Sequence, residues 1–353
     1  MHSKPITLVY SPVGVYTRKR GMFLAFLIAF FGFSLAPLFA HKGPALGGLG
    51  GQADRLGLGI SELGGGNTGS ARLDVTAATF WNPAVLPFFS RLQISLGEDL
   101  RFLNRNGAYA SIEGRIAPNL AAGLVIHNRG DFDVPVYDAN EVKLGTARPQ
   151  EIHVLLGVGV KTSRFNSLGL SVGGYSRSMD LGGEGDAQNT GILNLGWYRQ
   201  WPKQIQTALT IRNLGFNKKM SASYTSQSSS GLDGFSGTQS DYFPKTFVAA
   251  FTWPLMLSKK ELILRLEALD YLLVEEVWDN DGDHHAQGFR LGVDYSFLPE
   301  LIFRGGYDQG NFSLGSSYVI SIGKKKWIVD YALLFERGWV FVNPFALGLR
   351  AAF

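Results

Sequence analysis

The stretch Asn343-Pro344-Phe345-Ala346-Leu347-Gly348-Leu349-Arg350-Ala351-Ala352-Phe353 alternates without a break. Phe345, Leu347, Leu349, Ala351 and Phe353 share one face of a strand, and Ala346, Gly348, Arg350 and Ala352 share the other. The first face is large and apolar; the second is small or charged. Such a strand suits hydrocarbon on one side and a polar interior on the other. A soluble edge strand can show the same alternation, so the rest of the chain has to decide.

From Arg91 onward the same period of two recurs. Fourteen strands are expected, near 91–100, 107–116, 119–128, 151–161, 166–177, 190–200, 203–213, 245–254, 260–270, 286–297, 300–308, 311–320, 325–336 and 344–353. Most match the roughly 9–11 residues of a tilted membrane strand rather than the roughly 5–6 of a soluble sheet. Phe289, Leu291, Val293, Tyr295 and Phe297 oppose Gly288, Arg290, Gly292, Asp294 and Ser296. Trp327, Val329, Tyr331, Leu333 and Phe335 form a second apolar face, and Phe247, Ala249, Phe251 and Trp253 a third. Odd connections are mostly long (129–150, 178–189, 214–244, 271–285), whereas even ones are short, with Pro118, Pro202 and Pro299 marking turns. A soluble sandwich has no reason to sort its loops this way. A closed antiparallel transmembrane β-barrel over 89–353 does, and closure satisfies every backbone amide in lipid.

Composition agrees. The chain holds 44 Gly, 13% aromatics, 18% charged residues and no Cys, so no disulfide supports the fold. The net charge of +4 comes from Lys4, Arg18, Lys19 and Arg20, in a first stretch of forty residues with no acid. Without those four the chain carries 29 basic and 29 acidic residues, which gives no reason to expect nucleic acid as a partner. Residues 1–40 read as an export signal. Arg18-Lys19-Arg20 precedes the apolar run Met22 to Phe33, Pro37 breaks it, and Ala40 suits cleavage. An uncleaved anchor over Met22 to Ala40 is the alternative.

Between signal and barrel, residues 41–88 begin Gly-rich, as a linker or as tight turns in a compact plug. Leu73, Ala77 and Phe80/Trp81 then share a helical face, and Pro83 ends a short helix near Trp81.

Here the chain resembles the FadL-type outer-membrane proteins, and more closely their PorV/PorQ-like relatives (the UPF0164 group). The residues that carry this are Thr76-Ala77-Ala78-Thr79-Phe80-Trp81-Asn82-Pro83-Ala84 behind a Gly-rich lead-in. Ile211-Arg212-Asn213-Leu214-Gly215, Arg304-Gly305-Gly306-Tyr307, Asn311-Phe312-Ser313-Leu314-Gly315 and Asp330-Tyr331-Ala332 add to it. The chain departs from the pattern at Leu73-Asp74-Val75 and Val85-Leu86, which puts a second acidic plug residue in doubt. The resemblance implies fourteen strands in the cell outer membrane of a Gram-negative cell, with Phe353 as the signal read by the barrel insertion machinery. It implies either transport of hydrophobic, fatty-acid-like molecules through a plugged barrel with a lateral opening, or a type IX secretion role in holding exported proteins. The partners implied are outer-membrane lipid and a hydrophobic ligand or a secreted protein.

Candidate sites are few. Phe80, Trp81, Asn82 and Pro83 are expected to bind ligand or gate the lumen, or only to wedge the plug in place. Lumen charges are expected to fall in opposite-sign pairs along strands, Arg265 with Glu267, Arg290 with Asp294 and Arg304 with Asp308, and same-face neighbours across strands can join them into networks. Asp279, Asp281 and Asp283 open like a calcium loop, but Gly282 comes two places early and Arg290 stands where the bidentate Glu belongs. These three are weak candidates, and no metal or cofactor is expected. His127 and His153 are expected to face the lumen, with no nucleophile motif beside them, so no enzyme activity is expected.

Overall fold

The structure is a computed structural model. It describes residues 57–100, 105–131, 134–137, 143–180, 187–214, 220–225, 236–241, 245–257, 260–273, 284–323, 325–335 and 345–353. The expected signal segment, the start of the Gly-rich stretch, and Asp279, Asp281 and Asp283 lie outside the described residues.

The strands are β1 (Gln93–Leu100), β2 (Arg105–Ala117), β3 (Leu120–Asp131), β4 (Val134–Tyr137), β5 (Lys143–Lys161), β6 (Asn166–Asp180), β7 (Ala187–Gln200) and β8 (Gln206–Arg212). They continue as β9 (Met220–Thr225), β10 (Ser236–Asp241), β11 (Lys245–Leu257), β12 (Lys260–Leu273), β13 (His284–Leu298), β14 (Leu301–Asp308), β15 (Asn311–Ile322), β16 (Lys325–Phe335) and β17 (Phe345–Ala352). Fourteen form one antiparallel barrel, in which β3 pairs directly with β5 and β8 with β11. The last strand closes it. Leu349 of β17 lies opposite Leu96 of β1, and the Phe353 backbone N–H donates to Leu92 at 3.0 Å. β4 continues the line of β3 and pairs with the first residues of β5, and β9 pairs with β10 in a separate hairpin.

All fourteen expected strands are present. Three of the four long connections are shorter than expected, because strand continues into them, while 214–244 keeps its length and holds β9 and β10. β5 begins at Lys143 inside the expected 129–150 loop, and β12 and β13 narrow 271–285 from both ends. The turns after β2, β5, β13 and β15 are tight, and the even number of antiparallel strands places both ends of the barrel on one side.

Alternation sorts the two faces. On β5, Ile152, Val154, Leu156, Val158 and Val160 are exposed on the outside, while His153 and Leu155 are buried inside. The apolar core therefore lies within the barrel. Leu58, Ile60, Leu63, Val75, Phe80, Trp81, Val85 and Leu86 from the first described segment form one cluster with Val125, Leu155, Tyr175, Ile192, Tyr198 and Leu334 from the wall. Burying each large side chain contributes about 1.5–3 kcal/mol. Among the described residues no helix is long and apolar enough to cross a membrane, which says nothing of strands.

Candidate functional site

Residues 57–88 run inside the barrel, and all but Leu73, Asp74 and Phe88 are buried. A short helix α1 (Ile60–Gly64) packs on β14 to β17. A second, α2 (Ala78–Trp81), packs on β3 and β5, and a 3-10 turn over Pro83–Phe88 packs on β5 and β6. α2 is shorter than the expected helix and excludes Leu73 and Ala77. Ala77 at its N-cap offers no side-chain cap, so the first N–H groups need partners from elsewhere. Glu113 of β2 supplies them: its carboxylate accepts from the backbone N–H of Ala78 at 2.9 Å and of Thr79 at 2.7 Å.

The next residues lock the segment. Trp81 is fully buried and its indole N–H donates to the Leu58 carbonyl at 2.7 Å. Phe80 meets it edge-on, with ring centroids 5.3 Å apart. The guanidinium carbons of Arg212 and Arg290 each lie 5.6 Å from the Trp81 ring centroid. Asn82 donates to the Ser70 carbonyl at 2.9 Å, and its side-chain oxygen accepts from the Ala84 N–H at 3.0 Å. That bond caps the turn that Pro83 begins.

Opposite α2, charge replaces apolar contact. Arg265 and Asp294 form a two-pronged pair at 2.5 and 2.8 Å. Arg304 lies 3.3 Å from Asp294 and 3.8 Å from Asp330, and Arg350 grips Asp330 at 2.7 and 2.9 Å. Ser317 joins Arg304 to Asp330 by hydrogen bonds. Arg290 bonds Asp308 at 2.9 Å and lies 3.9 Å from Glu267. The close pairs thus run across strands, and the charges that share one strand face are joined through them. Asp308 stands directly opposite Arg290, and Arg304 opposite Asp294, whereas same-face residues on one strand are further apart than such opposed pairs.

The inner segment enters this network through Arg72. Its guanidinium bonds Asp74 at 2.6 and 2.7 Å and the Ser61 carbonyl at 3.1 Å, and lies 3.6 Å from Glu62 and 3.7 Å from Asp294. Burial pulls Arg72 down, but Asp74, Asp294 and Glu62 outweigh it and hold the group well above its ordinary value. Arg72 therefore stays charged. Arg350 donates to the Asp74 carbonyl at 2.6 Å, and Glu267 accepts from the Ser70 N–H at 2.7 Å. Glu113, Arg72, Asp330 and Arg350 were not among the expected site residues. Their inward parity on strands was the available signal for Glu113, Asp330 and Arg350; Arg72 gave none.

Inward glycines let the segment lie directly on the wall. A Cβ at Gly169 would overlap Ala84, one at Gly196 the Asn82 side chain, and one at Gly306 the backbone of Gly66, itself at φ +71.

One seam of the wall is short. β8 ends at Arg212, its last pair with β7 being Ile211 opposite Leu195. β7 runs on from Leu195 back to Ala187, and Leu214 donates to Leu193 at 2.8 Å after Asn213 turns at φ 61. Among the described residues no barrel strand pairs with that upper edge of β7, and β9 of the separate hairpin lies against β7 without pairing to it. His127 and His153 face inward on this side of the barrel, opposite each other with ring centroids 5.9 Å apart, and Tyr175 lies 4.6 Å beyond His153.

No protein-family model and no curated protein matches the chain. Solved structures do. It is similar to the toluene transporter TbuX of Ralstonia pickettii, at 15% identity over 84% of this chain and 98% of that one, with a TM-score of 0.58. A TodX monoaromatic hydrocarbon channel, in a deltaS2 mutant form, gives 12% identity over 85% and 98%, with a TM-score of 0.59. A FadL homologue of Pseudomonas aeruginosa gives 11% over 83% and 97%, with a TM-score of 0.55. This chain shares their fold. At such identities the likeness is one of architecture, and it agrees with the FadL-type resemblance of the sequence.

Proposed function

We propose that the chain is an outer-membrane barrel that conducts hydrophobic small molecules, with 1–40 as export signal, 41–88 as plug and 89–353 as barrel. The observation that carries this reading is the short seam between β7 and β8. The described plug residues occupy the interior from Glu113 on one side to Arg350 on the other, which leaves no wide straight path among the described residues at that level. The upper edge of β7 is the place where a molecule leaves the interior sideways, into lipid rather than water. Balanced Arg and Asp/Glu pairs fit this, because a wide ionic pore is usually lined by one sign of charge. The names of the similar structures, a toluene transporter and a monoaromatic hydrocarbon channel, support the substrate class. Phe80, Trp81, Asn82 and Pro83 act as the wedge that seats the plug. Outer-membrane lipid is the surrounding partner, and Phe353 is the residue read on insertion.

The chain has no Cys, so an introduced pair is the only thiol pair present. Cysteines at Leu193 and Leu214 bridge the seam. In cells that lack other such barrels, uptake of a labelled monoaromatic hydrocarbon should rise with the native chain, fall when the pair is oxidised and recover on reduction. Uptake no greater than in cells without the chain refutes the reading.

A second reading follows the PorV/PorQ-like resemblance: a type IX component that holds secreted protein. The hairpin β9–β10, inside the 214–244 connection, favours it, since among the described residues β10 pairs with β9 alone and offers its other edge to an extended partner. Co-purification of secreted protein, lost on removing 220–241, tests it.

A further inference from the structure

On the outside of the wall a depression of about 470 Å³ is lined by Ile152, Val154, Gly174, Ser176, Asn189 and Gly191 with the backbone around them. Two glycines make it. Gly174 of β6 stands directly opposite Gly191 of β7, so neighbouring strands both lack a side chain at one level of the outer face. Gly174 is not required by packing. A Cβ there would meet nothing nearer than the Thr190 carbonyl at 3.9 Å, whereas one at Gly173 would overlap the Val154 carbonyl. Glycine weakens a strand interior, and where no backbone approaches, it marks space kept for something else.

The chemistry of the walls is graded along the strands. Below the glycines the outer face is hydrocarbon, with Val172, Leu170 and Leu168 on β6 and Leu156 and Val158 on β5 all exposed. Immediately above, Ser176 stands opposite Asn189, and both share the outward parity of Gly174 and Gly191. Ile152 and Val154, opposite Ser176 and Gly174, form the side wall. The floor spans β6 and β7 and runs lengthwise into the apolar belt, which suits an alkyl chain laid along the strands. The hydroxyl and amide at its upper end carry no charge and can both donate and accept.

We propose that this groove is a binding site for a single-chain amphiphile. Its alkyl chain lies over Gly174 and Gly191, continuous with the apolar belt, and its uncharged hydrogen-bonding head, of the long-chain alcohol or ester class, meets Ser176 and Asn189. The transport reading gives the site its purpose, as a staging point beside the upper edge of β7; the binding does not depend on it.

The test uses the full chain in lipid nanodiscs with a nitroxide-labelled long-chain alcohol and the matching labelled alkane. The native chain should immobilise the alcohol roughly tenfold more tightly than the alkane. Gly174→Leu, which fills the groove without a backbone clash, should abolish immobilisation of both probes. Ser176→Ala with Asn189→Ala should bring the alcohol down to the level of the alkane. Should Gly174→Leu fail to insert, Ile152→Trp fills the same space from β5. Probe binding that survives a filled groove overturns the site, and equal binding of alcohol and alkane by the native chain overturns the head-group assignment. Hydrocarbon uptake is scored separately. Lost uptake with intact probe binding counts against the transport route and leaves the site standing.

Discussion

Glu113 on the barrel wall holds Thr79 of the inner segment, accepting its backbone N–H at 2.7 Å, and takes Ala78 with the same carboxylate. A four-residue helix with no cap of its own is marginal alone. Here the wall supplies the cap. Glu113→Ala leaves two buried N–H groups without that partner, at about 1–3 kcal/mol for an unsatisfied buried group. Glu113→Gln keeps an acceptor oxygen and should cost less. Urea unfolding in micelles, with proteolysis of the inner segment as a second readout, orders the three chains; equal stability of all three would sink the assignment.

Arg72 is the cation through which the inner segment enters the wall network, touching Asp74, Glu62 and Asp294. Arg72→Leu strands buried carboxylates and is expected to destabilise by about 3–5 kcal/mol. Buried pairs are screened little by salt. High salt should therefore leave the native segment protected from protease while Arg72→Leu exposes it. Release of the native segment by salt alone would contradict a buried network.

Gly306 and Gly66 meet backbone to backbone. Gly306→Val leaves no room for that contact, yet its side chain points inward, away from the apolar belt. The barrel should still close and run as a heat-shifted band, while the plug lifts from β14. Planar-bilayer conductance should rise, and deletion of 41–88 should raise it further. Unchanged conductance in the deletion would show that the segment is not a plug.

Phe353 packs its ring 6.2 Å from that of Trp327, with the Lys325 amine 4.9 Å from its centroid. An aromatic pair contributes about 0.5–1.5 kcal/mol, too little to decide whether a barrel stands. Phe353→Ala is expected to cut the assembled fraction in cells severalfold while refolding into micelles stays nearly normal. Equal assembly in cells would remove the insertion role.

The strands were legible because their cause is local. Side chains alternate every residue, so an apolar outer face and a packed interior write themselves directly into Phe289 to Phe297 or Phe345 to Phe353. Strand ends were less legible. β5 and β12 extend past the belt, where neither face need be apolar and the alternation fades. Residues 57–66 hold α1, which no pattern in the Gly-rich stretch announced, and glycines there meet the wall.

The sequence alone determined a fourteen-strand closed barrel, its inward and outward faces, and a short helix ended by Pro83. Only the tertiary structure decided which charges pair. Arg290 and Asp294 share a strand face, yet each finds its partner on the next strand, because register sets that distance and register belongs to the closed sheet. The same holds for Glu113 with Thr79 and Gly306 with Gly66. These contacts join residues far apart in the chain, and no local pattern encodes them.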